Sequence, residues 1–134
     1  MALAWLFERV DASEAALASH GFVEASRHGA IVPGIWFLEV ANTLLVFERS
    51  KRISELDSTN YLKGLALLSL AQDEMPIASS QRRALDLGRR YNLTAYDASY
   101  LDLSIRQGAT LATFDRRLAE AARAAGVRVF GDPA

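Results

Sequence analysis

The sequence predicts an α/β protein: three layers, α/β/α, around a short parallel sheet of about four strands, with about seven helices. Three observations carry this. Helical patterns dominate the chain. Between them lie four brief apolar runs, Ala30-Ile31-Val32, Met75-Pro76-Ile77-Ala78, Thr110-Leu111-Ala112-Thr113 and Val127-Arg128-Val129-Phe130. Strand and helix alternate, which is the order that covers a parallel sheet on both faces. A length of 134 residues suits one domain with a core of its own, and no repeat, low-complexity tract or linker interrupts it. A single domain over 1–134 is therefore expected.

Each element has its own signal. A short helix is expected near residues 2–8. A second covers 11–27, with Asp11 or Ser13 as N-cap and Ala15, Ala16, Phe22 and Val23 at helical spacing. A third covers about 35–49. A fourth starts at Ser54, where Ser54-x-x-Asp57 resembles a capping box with Asp in place of Glu. A fifth covers about 80–91. The sixth begins after Thr94 and stops near Gly108, and the seventh follows Asp115 and stops at Gly126, since glycine ends helices readily. The run 108–113, the helix after it and 126–130 form a βαβ unit whose crossover should be right-handed. Pro76 near a strand start suggests an edge strand.

Composition narrows the function. At 51% hydrophobic residues the chain is not globally disordered. The net charge of -1 does not by itself announce a nucleic-acid binder. With no cysteine, disulfides, thiolate zinc sites and a cysteine nucleophile are excluded. No apolar run approaches the roughly 18 residues of a membrane span. The apolar start Met1-Ala2-Leu3-Ala4-Trp5-Leu6-Phe7 has no basic leader and meets Glu8 and Arg9 at once, so a cytoplasmic protein with no membrane partner is expected.

In open α/β sheets ligands collect at the carboxyl ends of strands, so chemistry is sought just after each strand. Three acids stand out. Glu39 is the only charged residue in the run 35–47, and Asn42 shares its helical face three residues on. An unpartnered carboxylate in such a run is costly; the alternative is one wet stripe on a mostly buried helix. Asp97 follows Thr94 by three residues, so it either closes a capping box or faces a ligand, and one carboxylate can do both. Asp115 stands where a strand gives way to a helix; it is either an N-cap or a ligand, with Thr113 placed to orient it. Clustered carboxylates repel unless a cation joins them, and oxygen-only ligands favour Mg2+ or Mn2+ over zinc. Arg49, Lys51 and Arg52 after the Glu39 helix, and Arg116 and Arg117 beside Asp115, are either phosphate contacts or ordinary solvated helix ends. His20 and His28 read as surface residues. Ser99 and Ser104 lack a neighbouring histidine base, so no side chain reads as a nucleophile.

The runs Trp36-Phe37-Leu38-Glu39-Val40-Ala41-Asn42, Leu93-Thr94-Ala95-Tyr96-Asp97-Ala98-Ser99-Tyr100 and Leu111-Ala112-Thr113-Phe114-Asp115-Arg116-Arg117-Leu118 resemble, in order, three motifs of VapC-type PIN domains. The resemblance covers residues 2–129. It implies a PIN fold, Mg2+- or Mn2+-dependent RNA cleavage, an antitoxin partner, usually a homodimer, and catalytic and metal-binding roles for Glu39, Asp97 and Asp115. It also implies a short first strand ending in an aspartate, just where Met1 stands. The single domain is thus expected to be N-terminally truncated relative to the family, its activity impaired, and the open sheet position covered by dimerisation, segment exchange or an extraneous strand.

Two readings compete with a ribonuclease toxin. One is a catalytically incomplete PIN module that binds an antitoxin or RNA without cleavage, with Trp5, Phe7, Trp36 and Phe47 as apolar contacts; the alternative for these aromatics is core packing. The other is a structure-specific DNA nuclease, disfavoured because the chain has no insertion for a helical arch.

Overall fold

In a computed structural model of the protein, residues 23–133 are described. The helix expected at 2–8 lies outside them, as does the part of the second helix before residue 23; residues 23–28 are helical. The elements that follow are β1 (Ala30–Val32), α1 (Ile35–Arg49), α2 (Glu55–Ala66), β2 (Leu70–Gln72), α3 (Ile77–Tyr91), α4 (Ala95–Gln107) and α5 (Arg116–Ala124). The chain divides into two units, the first ending at Gln72 and the second starting at Asp73. No helix among the described residues is long and apolar enough to cross a membrane.

In the first unit, β1 and β2 pair in parallel, with Ala30 opposite Leu70 and Val32 opposite Gln72. Gly29 leads into β1 at φ +77°, and a Cβ there would lie 3.0 Å from the Ser69 carbonyl oxygen. Backbone freedom and close approach both demand glycine at this point. The crossover between the strands consists of α1 and α2. Val40 and Leu44 of α1 are buried against Leu65 and Leu68, with Trp36, Ile53, Tyr61 and Leu70 packed around them. The Ser54 capping box forms as the sequence predicts: the Asp57 N–H donates to the Ser54 hydroxyl oxygen at 3.1 Å, and the Ser54 N–H donates to the Asp57 carboxylate at 2.9 Å. These bonds hold the Asp57 carboxyl below its ordinary pKa. The Ser58 hydroxyl donates to Glu48 at 2.5 Å and ties α2 to α1.

The second unit packs around Leu101, which is fully buried, with Leu111, Leu118, Ala119, Ala121, Ala122 and Val129. Thr94 caps α4 by accepting the Asp97 N–H, and Gly108 ends it at φ +58°. Asp115 caps α5.

Two expectations are corrected. Residues 75–78 are not a strand. The strand is Leu70–Gln72, and Ile77 already opens α3, with Pro76 as its N-cap. Proline has no N–H to lose there, because the first N–H groups of a helix have no intrahelical partner. Pro76 therefore marks a helix start and not a sheet edge. The runs 110–113 and 127–130 shrink to a single parallel bridge, Leu111 with Val129, formed by Leu111 N–H to the Arg128 carbonyl at 2.9 Å and Phe130 N–H to the Leu111 carbonyl at 2.8 Å. Among the described residues the sheet thus has two strands and one isolated bridge, not about four strands, and five complete helices follow the helical residues 23–28. The parallel direction and the α/β class stand as expected.

Candidate functional site

The three candidate acids each sit where local sequence logic places them. Glu39 lies mid-way along the first half of α1 and is exposed; its backbone carbonyl accepts the Thr43 hydroxyl at 3.0 Å. Asn42 is exposed on the same helix. In the second unit Asp97 is the third residue of α4 and is half-buried; its N–H donates to the Thr94 hydroxyl oxygen at 3.1 Å. Asp115 is exposed at the junction between the Leu111 bridge and α5. Its Oδ1 accepts the Leu118 N–H at 2.8 Å, and its own N–H donates to the Thr113 hydroxyl oxygen at 3.1 Å. One Asp115 carboxylate oxygen thus serves the cap, and Thr113 fixes the backbone that carries it.

Glu39 belongs to the first unit, Asp97 and Asp115 to the second. No group of three or more His, Asp or Glu side chains among the described residues is gathered closely enough to hold a metal ion. The donor chemistry of the three acids, oxygen alone, nonetheless suits a hard divalent cation.

The basic candidates divide. Arg49 and Lys51 are exposed at the end of α1 and just past it, with Lys51 at φ 58°. The Arg52 guanidinium lies 5.3 Å from the Phe47 ring centroid, a cation–π distance. Arg116 and Arg117 are exposed in the first turn of α5. His20 lies outside the described residues; His28 is exposed, 3.6 Å from Glu24 one turn back. Trp5 and Phe7 also lie outside them. Trp36 packs against the core of the first unit and meets Phe37 edge-on at 5.2 Å.

The most deeply buried carboxylate among the described residues was not singled out in the sequence. Asp102 of α4 has a side chain only 5% exposed. It accepts from the Nε of Arg83 on α3 and from the Nε of Arg106 at 2.8 Å. Arg106 also donates through both terminal nitrogens to Asp73, at 3.2 and 2.5 Å. The Arg106 hydrogen bonds hold the Asp73 carboxyl below its ordinary pKa. Four charges of alternating sign thereby join residue 73, α3 and α4. The signal lay in the sequence: Asp102 interrupts an apolar stretch, and Arg106 follows at the spacing that pairs side chains on one helix face.

Comparison with known proteins bears on the family and the fold. The profile of the PIN domain family matches residues 2–124. Over 82 residues the chain is 34% identical to Ribonuclease VapC3 of Pyrobaculum aerophilum, across 61% of this chain and 63% of that protein, which is less than two thirds of its length. The structure is similar to the crystal structure of PAE2754 from the same organism, with a TM-score of 0.64 and 26% identity, covering 81% of this chain and 78% of that one. A family match over nearly the whole sequence, reached independently of the strand and helix order found here, establishes that the chain belongs to the PIN domain family.

Proposed function

We propose that this chain is a Mg2+- or Mn2+-dependent endoribonuclease of the VapC toxin type, acting on RNA and paired with an antitoxin protein. The observation that carries the reading is the PIN match over residues 2–124. It is supported by the two acids of the second unit, which start α4 and α5; Asp115 follows a parallel bridge, where α/β folds collect ligands. On this reading Glu39, Asp97 and Asp115 hold the cation, directly or through water. A bound divalent ion supplies Lewis-acid polarisation of a phosphoryl oxygen and an acidified water. Thr113 orients Asp115 through its backbone, and Asn42 supports Glu39. Arg49, Lys51, Arg52, Arg116 and Arg117 attract the phosphate backbone. Weakened cleavage, which the resemblance implies, belongs to the same proposal. Assembly as a homodimer of single-domain chains in the cytoplasm belongs to the same proposal.

Labelled RNA and manganese test it. Wild-type chain should cleave, and Asp97→Asn should be slower by about 100-fold or more, a barrier change of about 3 kcal/mol. Equal cleavage by both removes Asp97 from the chemistry. No cleavage by either, with tight antitoxin binding, favours the non-catalytic module.

A further inference from the structure

We propose that Arg83, braced by the buried carboxylate of Asp102, binds one phosphate of an RNA strand. The proposal rests on the nuclease reading for the identity of the polymer. It adds a contact to Arg49, Lys51, Arg52, Arg116 and Arg117.

Arg83 lies mid-way along α3 and Asp102 mid-way along α4. The Asp102 side chain is 5% exposed and that of Arg83 42%. Their contact runs from the Arg83 Nε–H to Asp102 Oδ1. Asp102 Oδ2 accepts from the Arg106 Nε at 2.8 Å, and Arg106 gives its terminal nitrogens to Asp73. Asp102 is thus fixed from a second side. The two terminal nitrogens of Arg83 enter no hydrogen bond among the described residues. Of the five N–H donors of a guanidinium, one is anchored and four are left over. Nearby arginines are committed differently. Arg106 and Arg123 spend Nε and terminal nitrogens on aspartates. The Arg90 guanidinium lies 5.8 Å from the Tyr91 ring centroid.

Geometry, and not net charge, selects the ligand. The two arginines and two aspartates of the network cancel, so they supply no general attraction. What remains is a planar fork of N–H groups, which matches two oxygens of a phosphate. Bracing by a buried acid removes side-chain freedom before binding, so less is lost when the ligand arrives. The fork also fits a carboxylate, but its place favours a phosphate. Asp102 stands five residues beyond Asp97 on α4, about 7.5 Å along the helix axis. The fork is therefore fastened to the helix that carries a proposed cation ligand.

Fluorescence anisotropy of a labelled single-stranded oligoribonucleotide, with the whole chain in EDTA, reads binding without any cleavage. Arg83→Gln keeps an N–H donor for Asp102, and Arg83→Lys keeps the charge, so both preserve a partner for the buried acid. Arg83→Gln should weaken binding by about ten-fold and lower the slope of log affinity against log salt by about 0.7, the share of one single-strand phosphate. Arg83→Lys should also weaken binding, by about three-fold, because an ammonium has no fork. Arg82→Gln removes the same charge from the neighbouring exposed position and should matter less. An equal loss in Arg82→Gln and Arg83→Gln, or an unchanged salt slope in Arg83→Gln, overturns the proposal. So does a polyglutamate peptide that binds as tightly as RNA and loses as much in Arg83→Gln, since the fork then serves a carboxylate. Manganese-dependent cleavage by a chain whose RNA affinity ignores both Arg83 variants overturns the contact and leaves the nuclease reading intact. Arg83-dependent binding by a chain that cuts no RNA supports the contact and counts against the nuclease reading instead.

Discussion

Asp115 has two duties that substitutions can separate. Its Oδ1 caps α5 through the Leu118 N–H, and its carboxylate is a proposed cation ligand. Asparagine caps as well as aspartate but carries no charge. Asp115→Asn should therefore leave thermal stability within about 0.5 kcal/mol while abolishing manganese-dependent cleavage, and Asp115→Ala should in addition cost about 1 kcal/mol. If the Asn variant cleaves at the wild-type rate, the residue is only a cap. Asp73 is a second case where one side chain makes a measurable difference. Arg106 depresses its pKa, so its share of stability is present above the unfolded carboxyl pKa of about 3.9 and is lost as pH falls through the lower folded value. Asp73→Asn should thus flatten the acid limb of a stability-versus-pH curve below about pH 4, with the difference from wild type greatest near neutrality. An unchanged acid limb would show that the pair with Arg106 contributes nothing.

The elements show where local signals suffice. Helix α1 falls on the residues its apolar run predicts, and α2 and α5 start at their Ser54 and Asp115 caps because each N-cap meets a backbone N–H that has no other partner. Helix α4 runs from its Thr94 cap to Gly108 for the same reason. The strands were less readable. Leu70–Gln72 follows directly on the apolar end of α2 and exposes Ala71 and Gln72, so neither alternation nor a buried run announces it. What makes it a strand is its partner β1, forty residues earlier in the register of Ala30 with Leu70. Gly29 is the tightest point of that pairing. Gly29→Ala forces a left-handed residue and a Cβ 3.0 Å from a backbone oxygen, so unfolding by denaturant should reveal a loss of roughly 1–3 kcal/mol. A neutral Gly29→Ala would mean that β1 and β2 do not pair as described.

For the molecule as a whole, the proposed cation binding would have a consequence beyond catalysis. A ligand that binds only the folded chain raises its stability, by about 2.7 kcal/mol at 100 times its Kd. Manganese should accordingly raise the melting temperature of the wild-type chain, and Glu39→Gln and Asp97→Asn should each reduce the rise, although the two acids belong to different units. A melting temperature indifferent to manganese would remove the metal from the proposal, whatever the cleavage assay reports. The second unit holds nine of the fifteen basic residues but also eight of the sixteen acids, so charge is nearly balanced there as in the whole chain.

The sequence by itself determined the α/β class, the PIN resemblance and most helix boundaries, and it singled out Glu39, Asp97 and Asp115 as candidate acids. Caps, apolar periodicity and motif order are local properties, decided within a few residues. Only the tertiary structure decided which short apolar runs become strands, because a strand is defined by a partner distant in sequence. It alone joined Asp73 and Arg83 to the local pair Asp102–Arg106, since these contacts span 33 and 19 residues and no local pattern encodes them.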